Sequence, residues 1–221
     1  MNHRNVMTIR TTKGFTLVEI AIVLVILGLI IGGVLKAQEM ITNGKLKRIE
    51  SDHTGIIVAM NSYQDRYLSL PGDDDRASMN FSIFSDGVND PDPVDIDGDN
   101  DGLIDGAWLT SPNSETANFW KHLRAAGLIP GTGDDDTLFT NAFGGKIGVR
   151  DGSLRISGHA VIFGSIEGPI ARVLESKLDD GSPRSGEIQS DVDATYMDEY
   201  ALSSAGNSYA TNLRYFVAFS L

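Results

Sequence analysis

The sequence predicts an α+β protein in which one long N-terminal helix is followed by an antiparallel β-sheet. Two observations support this fold class. The first 70 residues are apolar and then amphipathic, whereas short alternating apolar segments occupy the second half. Between these regions lies an acidic segment, residues 73–105, which is rich in Gly, Asn and Pro and has little apolar material. We therefore expect a long acidic loop inserted between helix and sheet.

The N-terminal segment RTTKGFTLVEIAIVLVILGLIIGGVLK, residues 10–36, contains 21 residues from Phe15 to Leu35 in which Glu19 is the only charge. As a helix these residues span about 31 Å, which is the thickness of the hydrocarbon core of a bilayer. An ordinary secretory signal has a shorter apolar part and a small-residue cleavage site, which is missing here. A plain membrane anchor explains the length but not Glu19, because a carboxylate within a membrane is costly and is usually kept for a function.

The junction Lys13-Gly14-Phe15-Thr16-Leu17-Val18-Glu19 resembles the prepilin cleavage signature of type IV pilins and type II secretion pseudopilins, over about the first 40 residues. The resemblance implies that prepilin peptidase cuts between Gly14 and Phe15 and methylates the new amine of Phe15. It also implies that Glu19 neutralises the Phe15 amine of a neighbouring subunit as the helix enters a filament. Physical chemistry agrees, because a buried charge is tolerated far better when it is paired.

The resemblance also implies a domain organisation and a set of partners. The expected parts are a cleaved leader at 1–14, a transmembrane and filament-core helix at 15–36, its amphipathic continuation at 37–70 and a globular C-terminal domain at 71–221. The expected fold is pilin-like, with the helix packed on the sheet. Expected partners are copies of the chain and other pilins, prepilin peptidase and an inner-membrane assembly platform. The chain is expected to cross the inner membrane once and then to join an extracellular or periplasmic filament.

Beyond the apolar segment, the periodicity predicts that the helix continues to about Leu68 and ends at Leu70-Pro71-Gly72. Apolar residues recur there at intervals that place them on one helix face. These residues are Ile41, Leu46, Ile49, Ile56, Met60, Tyr63 and Tyr67.

Short elements are predicted after the acidic segment. They are a helix from Ser111 to Gly127 with Phe119, Trp120 and Leu123 facing the core, a hairpin pairing Ile147–Val149 with Leu154–Ile156, a strand at 160–166, a helix at 169–178, a loop at 182–208 and a strand at 213–221. The helix is placed by Ser111 as N-cap and Pro112 in the first turn. The hairpin rests on Asp151-Gly152, a strong two-residue turn signal.

A second chemical signal lies within residues 86–106 and predicts a calcium loop. Counting from Asp97, the sequence places carboxylates at positions one, three, five and nine, a glycine at six and a residue offering its carbonyl at seven. The predicted ligands are Asp97, Asp99, Asp101, Leu103 and Asp105, with Gly102 at the sharp turn. Alternate side chains of such a loop converge, and hard oxygen ligands in this number favour calcium.

The calcium loop is weighed against a solvated acidic loop, which is the commoner meaning of a charge run. Position twelve is Trp108 rather than a bidentate Glu, so the loop resembles those of extracellular modules more than an EF-hand. Asp92, Asp95 or Glu115 remain open as a further ligand. The runs Asp73-Asp74-Asp75, Asp134-Asp135-Asp136 and Asp179-Asp180 are predicted as turns or helix caps and not as ligands.

The composition fits an exported protein. The formal net charge of −12 becomes −15 once the three leader bases are removed, so nucleic acid is an unsuitable partner. The sequence contains no cysteine, and therefore no disulfide stabilises the fold. Because some pseudopilins and minor pilins use calcium in their globular domains, the resemblance supports a metal that braces the loop.

An enzyme is disfavoured, because the four histidines are scattered and no nucleophile elbow or phosphate loop is present. A membrane-anchored calcium-binding adhesin is the more serious competitor, although it needs neither cleavage at Gly14 nor polymerisation. The sequence does not separate a type IV pilin from a type II secretion pseudopilin. Chain length and the elaborate loop favour a pilin.

Overall fold

A computed structural model describes residues 14–84, 96–107, 114–135, 137–192 and 209–221. The chain divides into two compact units, Met1–Gly44 and Lys45–Leu221. The elements in chain order are α1 (Leu17–Tyr67), α2 (Ala77–Asn80), α3 (Glu115–Ala125), β1 (Ile147–Asp151), β2 (His159–Glu167), α4 (Gly168–Leu178), β3 (Ile188–Val192) and β4 (Arg214–Ser220). The predicted α+β class, a long N-terminal helix followed by an antiparallel sheet, is confirmed.

Helix α1 begins two residues after the predicted start at Phe15 and ends one residue before Leu68. Leu68 has a positive φ of 58°, which an α-helix cannot continue through. Five residues of the predicted apolar face are buried in the second unit, namely Leu46, Ile49, Ile56, Met60 and Tyr63, and Tyr67 is half-buried. Ile41 shares the periodicity but is 60% exposed. The periodicity therefore predicts a core face only within the second unit.

The sheet has the strand order β1-β2-β4-β3, and every neighbouring pair is antiparallel. One face forms the main core with the buried side of α1, with α3 and with α4. Phe163 of β2 and Phe219 of β4 meet there edge to face, and the ring of His53 on α1 lies 4.9 Å from that of Phe219. A smaller apolar cluster containing Ile156 and Ile162 lies apart from this core. The sheet is thus apolar on both faces.

The predicted hairpin partner of β1 is wrong. Leu154–Ile156 is not a strand; β1 pairs instead with β2, and Asp151 opposes His159. The connection is a loop in which Gly152 donates a backbone hydrogen bond to Gly158 and Leu154 has a positive φ of 54°. A strand cannot pass through that backbone conformation, so Asp151-Gly152 opens a longer loop. The strand predicted at 160–166 is confirmed as β2.

Four further predictions have mixed outcomes. Helix α3 begins at Glu115 with Ser114 as its N-cap, later than predicted, because the Ser114 carbonyl accepts the first helical bonds from Ala117 and Asn118. Ser111 and Pro112 lie outside the described residues. The loop predicted at 182–208 is wrong in part, since it contains the edge strand β3. The helix at 169–178 and the terminal strand are confirmed as α4 and β4.

We expect Phe163→Ala to lower the free energy of unfolding by about 3–5 kcal/mol, because it empties a fully buried site in the central strand β2. Val58→Ala is the matched control, since Val58 is 58% exposed on α1 and its truncation should change stability by about 0.5 kcal/mol or less. Urea denaturation of the full chain measures both. Equal losses in the two variants would contradict the placement of the core.

Candidate functional site

The start of α1 is closed by reciprocal hydrogen bonds between Thr16 and Glu19. Glu19 Oε2 accepts from the backbone N–H and the hydroxyl of Thr16, both at 2.8 Å, and Thr16 Oγ1 accepts from the Glu19 N–H at 3.2 Å. This is a capping box, a common way to satisfy the free N–H groups of a first helical turn. In the single chain, therefore, Glu19 already has a partner within its own helix.

The rest of this segment presents an apolar surface in all directions. α1 is the one helix of the described chain that is long and apolar enough to cross a membrane, judged by length and composition. None of its most apolar window is buried, and Phe15 and Leu17 are 83% and 91% exposed. Such a surface is far larger than a soluble monomer leaves in water. A surface of this kind is typical of a segment that lies in lipid or against other protein chains.

The acidic segment brings together three carboxylates, of which Asp73 is distant in sequence from Asp99 and Asp101. One carboxylate oxygen from each of Asp73, Asp99 and Asp101 lies within 4.8 Å of those of the other two. Asp73 is buried, and its carboxylate accepts the backbone N–H groups of Asp101 and Gly102 at 3.1 and 2.9 Å. The loop thus closes around Asp73, which comes from the turn after α1.

Glu115, in the first turn of α3, holds the same loop from the other side. Its Oε1 accepts the N–H of Asp99 at 3.2 Å and its Oε2 accepts the N–H of Asp105 at 3.1 Å. Glu115 was one of three open choices for a further ligand. The other two, Asp92 and Asp95, lie outside the described residues, as does Trp108.

The five predicted ligands fall into two groups in the structure. Asp99 and Asp101 belong to the carboxylate cluster, whereas the Asp97 carboxylate accepts both the N–H and the hydroxyl of Ser78 at 2.7 Å. Asp105 is exposed and is not a member of that cluster, and Leu103, predicted to offer its carbonyl, is exposed as well. Gly102 has a φ of 88°, which is the sharp turn that the motif predicts at its sixth position. The ligand set itself stays a prediction.

The electrostatics of the loop favour a cation. Burial raises the pKa of Asp73, and the charge of Asp101 adds to the effect. Burial also raises the pKa of Glu115, with further contributions from Asp73 and Asp105. Negative charges that are desolvated together destabilise one another, and a divalent cation among them reverses that repulsion. Carboxylate oxygens are the donor type that calcium prefers, and Asp73, Asp99 and Asp101 are the residues of this loop that could offer such oxygens together.

His122 of α3 connects the residue before the acidic segment, Gly72, to Ile96 within it. Its Nδ1 accepts the backbone N–H of Gly72 at 2.9 Å, and its Nε2 lies 2.8 Å from the carbonyl oxygen of Ile96. Because Nδ1 accepts, the proton is on Nε2, which donates to Ile96. The ring is fully buried, and this burial lowers the pKa of His122 to about 4. His122 is therefore neutral and acts as a structural cross-link.

Sequence reasoning missed three of these contacts. The predicted turn fits Asp74 rather than Asp73. The Asp74 carboxylate accepts hydrogen bonds from the Arg76 N–H at 3.0 Å and from the Tyr63 hydroxyl at 2.8 Å. His122 was seen as one of four scattered histidines. Thr16 carried a usable signal, because Thr-x-x-Glu before an apolar run is the capping-box pattern.

Comparison with known proteins yields one match. Residues 9–35 match the family described as the prokaryotic N-terminal methylation motif, which is the signal of type IV pilins and pseudopilins. No curated protein and no solved structure matches the chain. The match confirms the resemblance found at the Gly14-Phe15 junction. The motif implies processing by prepilin peptidase and assembly into multi-subunit filaments of structural rather than enzymatic subunits.

We expect His122→Phe to lower the free energy of unfolding by about 2–4 kcal/mol at pH 7.5, because two buried backbone groups lose their partner. The difference in the free energy of unfolding between wild type and His122→Phe should be smaller by about 2 kcal/mol at pH 5 than at pH 7.5. Between the ordinary pKa of 6.5 and the folded value of about 4, the unfolded wild-type chain takes up a proton that the folded chain does not, so its stability falls. Chemical denaturation at both pH values measures this. A difference that does not change with pH would contradict a buried neutral His122.

Proposed function

We propose that this protein is a structural subunit of a type IV pilin-like filament. It is made with the leader 1–14, held in the inner membrane by α1, cut between Gly14 and Phe15 by prepilin peptidase, methylated on Phe15 and polymerised through its apolar helix. The filament lies outside the inner membrane, in the periplasm or beyond the cell. The globular domain is stabilised by calcium.

One observation carries this proposal. From Phe15 to Leu35 the helix exposes apolar side chains on all sides and carries one charge, Glu19, five residues after the matched junction glycine. Lipid covers such a surface before assembly, and the corresponding helices of other subunits cover it afterwards. A helix that is apolar all round is suited to the centre of a helical bundle.

The capping box suggests how Glu19 changes partner. In the single chain, Thr16 satisfies the carboxylate, so the helix tolerates Glu19 before assembly. Cleavage after Gly14 creates a positively charged amine on Phe15. In the filament that amine, on a neighbouring subunit, pairs with Glu19 in a low-dielectric environment where an unpaired charge costs several kcal/mol. The pair also sets the axial register between neighbouring helices.

A type II secretion pseudopilin has the same processing and assembly and is the alternative within this class. A membrane-anchored calcium-binding adhesin is the alternative outside it. The adhesin explains α1 and the acidic loop but gives Glu19 no role, which is why the filament subunit is preferred.

Calcium is the cation proposed for the acidic loop. The converging oxygens of Asp73, Asp99 and Asp101 supply hard ligands, and Glu115 lies against the same backbone. When bound, the ion neutralises the buried charges and couples the turn after α1 to the first turn of α3. That coupling matters in a chain without disulfides.

We expect Glu19→Gln to lower incorporation into filaments by about a hundredfold or more, because the Phe15 amine then enters the filament core without a counter-charge. Gln keeps the third helical position of the capping box, so the free subunit and its processing should be unchanged. The measurement is the ratio of filament to membrane-held subunit in cells that express the assembly machinery.

Two control variants separate the cap from the charge. Thr16→Ala removes the cap but keeps the carboxylate, and it should still assemble. Glu39→Gln removes an exposed charge further along α1 and should behave as wild type. Normal filament assembly of Glu19→Gln would contradict the charge-pairing step. If Thr16→Ala fails to assemble while Glu19→Gln assembles, the role of Glu19 is helix capping.

For the acidic loop, we expect calcium at about one hundred times its dissociation constant to raise the melting temperature of the full chain by about 5–10 °C, and chelator to abolish the rise. Asp99→Asn should remove most of this response. Asp134→Asn is the matched control, because it removes one charge from a different aspartate run. A melting temperature that does not respond to millimolar calcium would overturn the proposed cofactor.

A further inference from the structure

Glu175, in the last turn of α4, is the most deeply buried carboxylate apart from the acidic segment among the described residues. It is 0% exposed, and its Oε1 accepts hydrogen bonds from the hydroxyls of Tyr209 and Ser190 at 2.8 and 3.2 Å. These two hydroxyls lie 2.9 Å from each other. Two other segments of the chain therefore fix one side of the carboxylate.

The other oxygen, Glu175 Oε2, is buried and has no hydrogen-bond partner in the described part of the chain. One carboxylate oxygen from each of Glu175, Asp179 and Asp180 lies within 4.8 Å of those of the other two. Burial raises the pKa of Glu175 to about 7, and the charges of Asp179 and Asp180 contribute in the same direction. A buried oxygen without a partner, on a carboxylate that lies this close to two others, is costly unless a cation or a proton is shared among the three groups.

The position on the helix increases the cost. Asp179 is the C-cap of α4, so all three carboxylates lie at the negative end of the helix dipole, where anions are unfavourable. The nearby base Lys177 is bound elsewhere, to Glu50 at 2.6 Å. Over the described residues, no ion pair joins any of the three carboxylates to a base. The cluster has no protein counter-charge there.

Both aspartates are held in place by the loop that follows α4. Asp179 Oδ2 accepts the N–H of Ile188 at 2.7 Å, and a Cβ on Gly186 would collide with this carboxylate. Asp180 accepts the N–H of Ser182 and the hydroxyl of Ser185, both at 2.7 Å. The three acidic side chains are thus positioned by other groups before any ligand binds.

We propose that Glu175, Asp179 and Asp180 form a second site for a hard divalent cation, with calcium as the ion expected outside the cell. Carboxylate oxygens are the preferred donors of calcium, and the half-buried Asp179 and exposed Asp180 leave the ion access to solvent, which supplies the remaining ligands. The bound ion stabilises the end of α4, where the Asp179 carboxylate also accepts the N–H of Ile188 at the start of β3. This site does not depend on calcium at the acidic loop, nor on the assembly of the chain into filaments.

Equilibrium dialysis of the full chain in detergent against calcium alone tests the site. We expect Glu175→Gln to bind one calcium ion fewer per chain than the wild type, and Asp180→Asn to weaken the same site at least about tenfold. Glu187→Gln is the matched control, since it removes an exposed charge from the same loop outside the cluster. It should bind as the wild type does.

The same comparison in an Asp99→Asn background separates the two sites. If chains with and without the Glu175→Gln substitution still differ by one bound ion there, the second site is supported whether or not the acidic loop binds calcium. Circular dichroism shows whether Glu175→Gln is folded, and if it is not, the exposed Asp180→Asn variant decides. Unchanged calcium stoichiometry and affinity in Asp180→Asn would overturn the proposal and indicate a proton shared among the carboxylates.

Discussion

Exposing the apolar surface of α1 between Phe15 and Leu35 to water is unfavourable, and the proposed function depends on that constraint. From Phe15 to Leu35 the segment has no polar face, and its large apolar side chains are exposed. In the proposed function, lipid surrounds this apolar surface before assembly and the helices of neighbouring subunits pack on it afterwards. Membrane insertion and polymerisation therefore use the same surface. The single carboxylate at Glu19 is compatible with both environments only because it has a partner in each. Thr16 is the partner within the chain, and the Phe15 amine is the proposed partner in the filament.

Outside this segment, the second unit is stabilised without covalent links. The sheet and α1 share one large apolar core, while polar contacts hold the long connections to it. His122 attaches the start of the acidic segment and Ile96 within it to α3. Glu175 attaches the end of α4 to β3 and to the segment containing Tyr209. Both are buried ionisable groups used as neutral or neutralised cross-links. The calcium proposed at each carboxylate cluster would add stability at the concentrations found outside the cell.

Periodic patterns predicted most of the fold. The apolar segment, the amphipathic part of α1 and strand β4 follow directly from spacing, because one face of each is buried. Strand β3 was missed because its sequence, Ile-Gln-Ser-Asp-Val, is polar at the edge of the sheet. The hairpin failed because a positive φ at Leu154 is not visible in the residue type. Asp73 was missed because its partners follow 26 or more residues later, and only the tertiary fold brings them together.

The central claim is that the Gly14-Phe15 junction is cut and that the new end enters a filament core. Intact-mass and N-terminal mass spectrometry of the protein from cells containing prepilin peptidase tests it most directly. The account predicts a chain that lacks residues 1–14 and carries one added methyl group on the amine of Phe15. A full-length chain beginning at Met1, or a chain cut on the far side of the apolar helix, would contradict it.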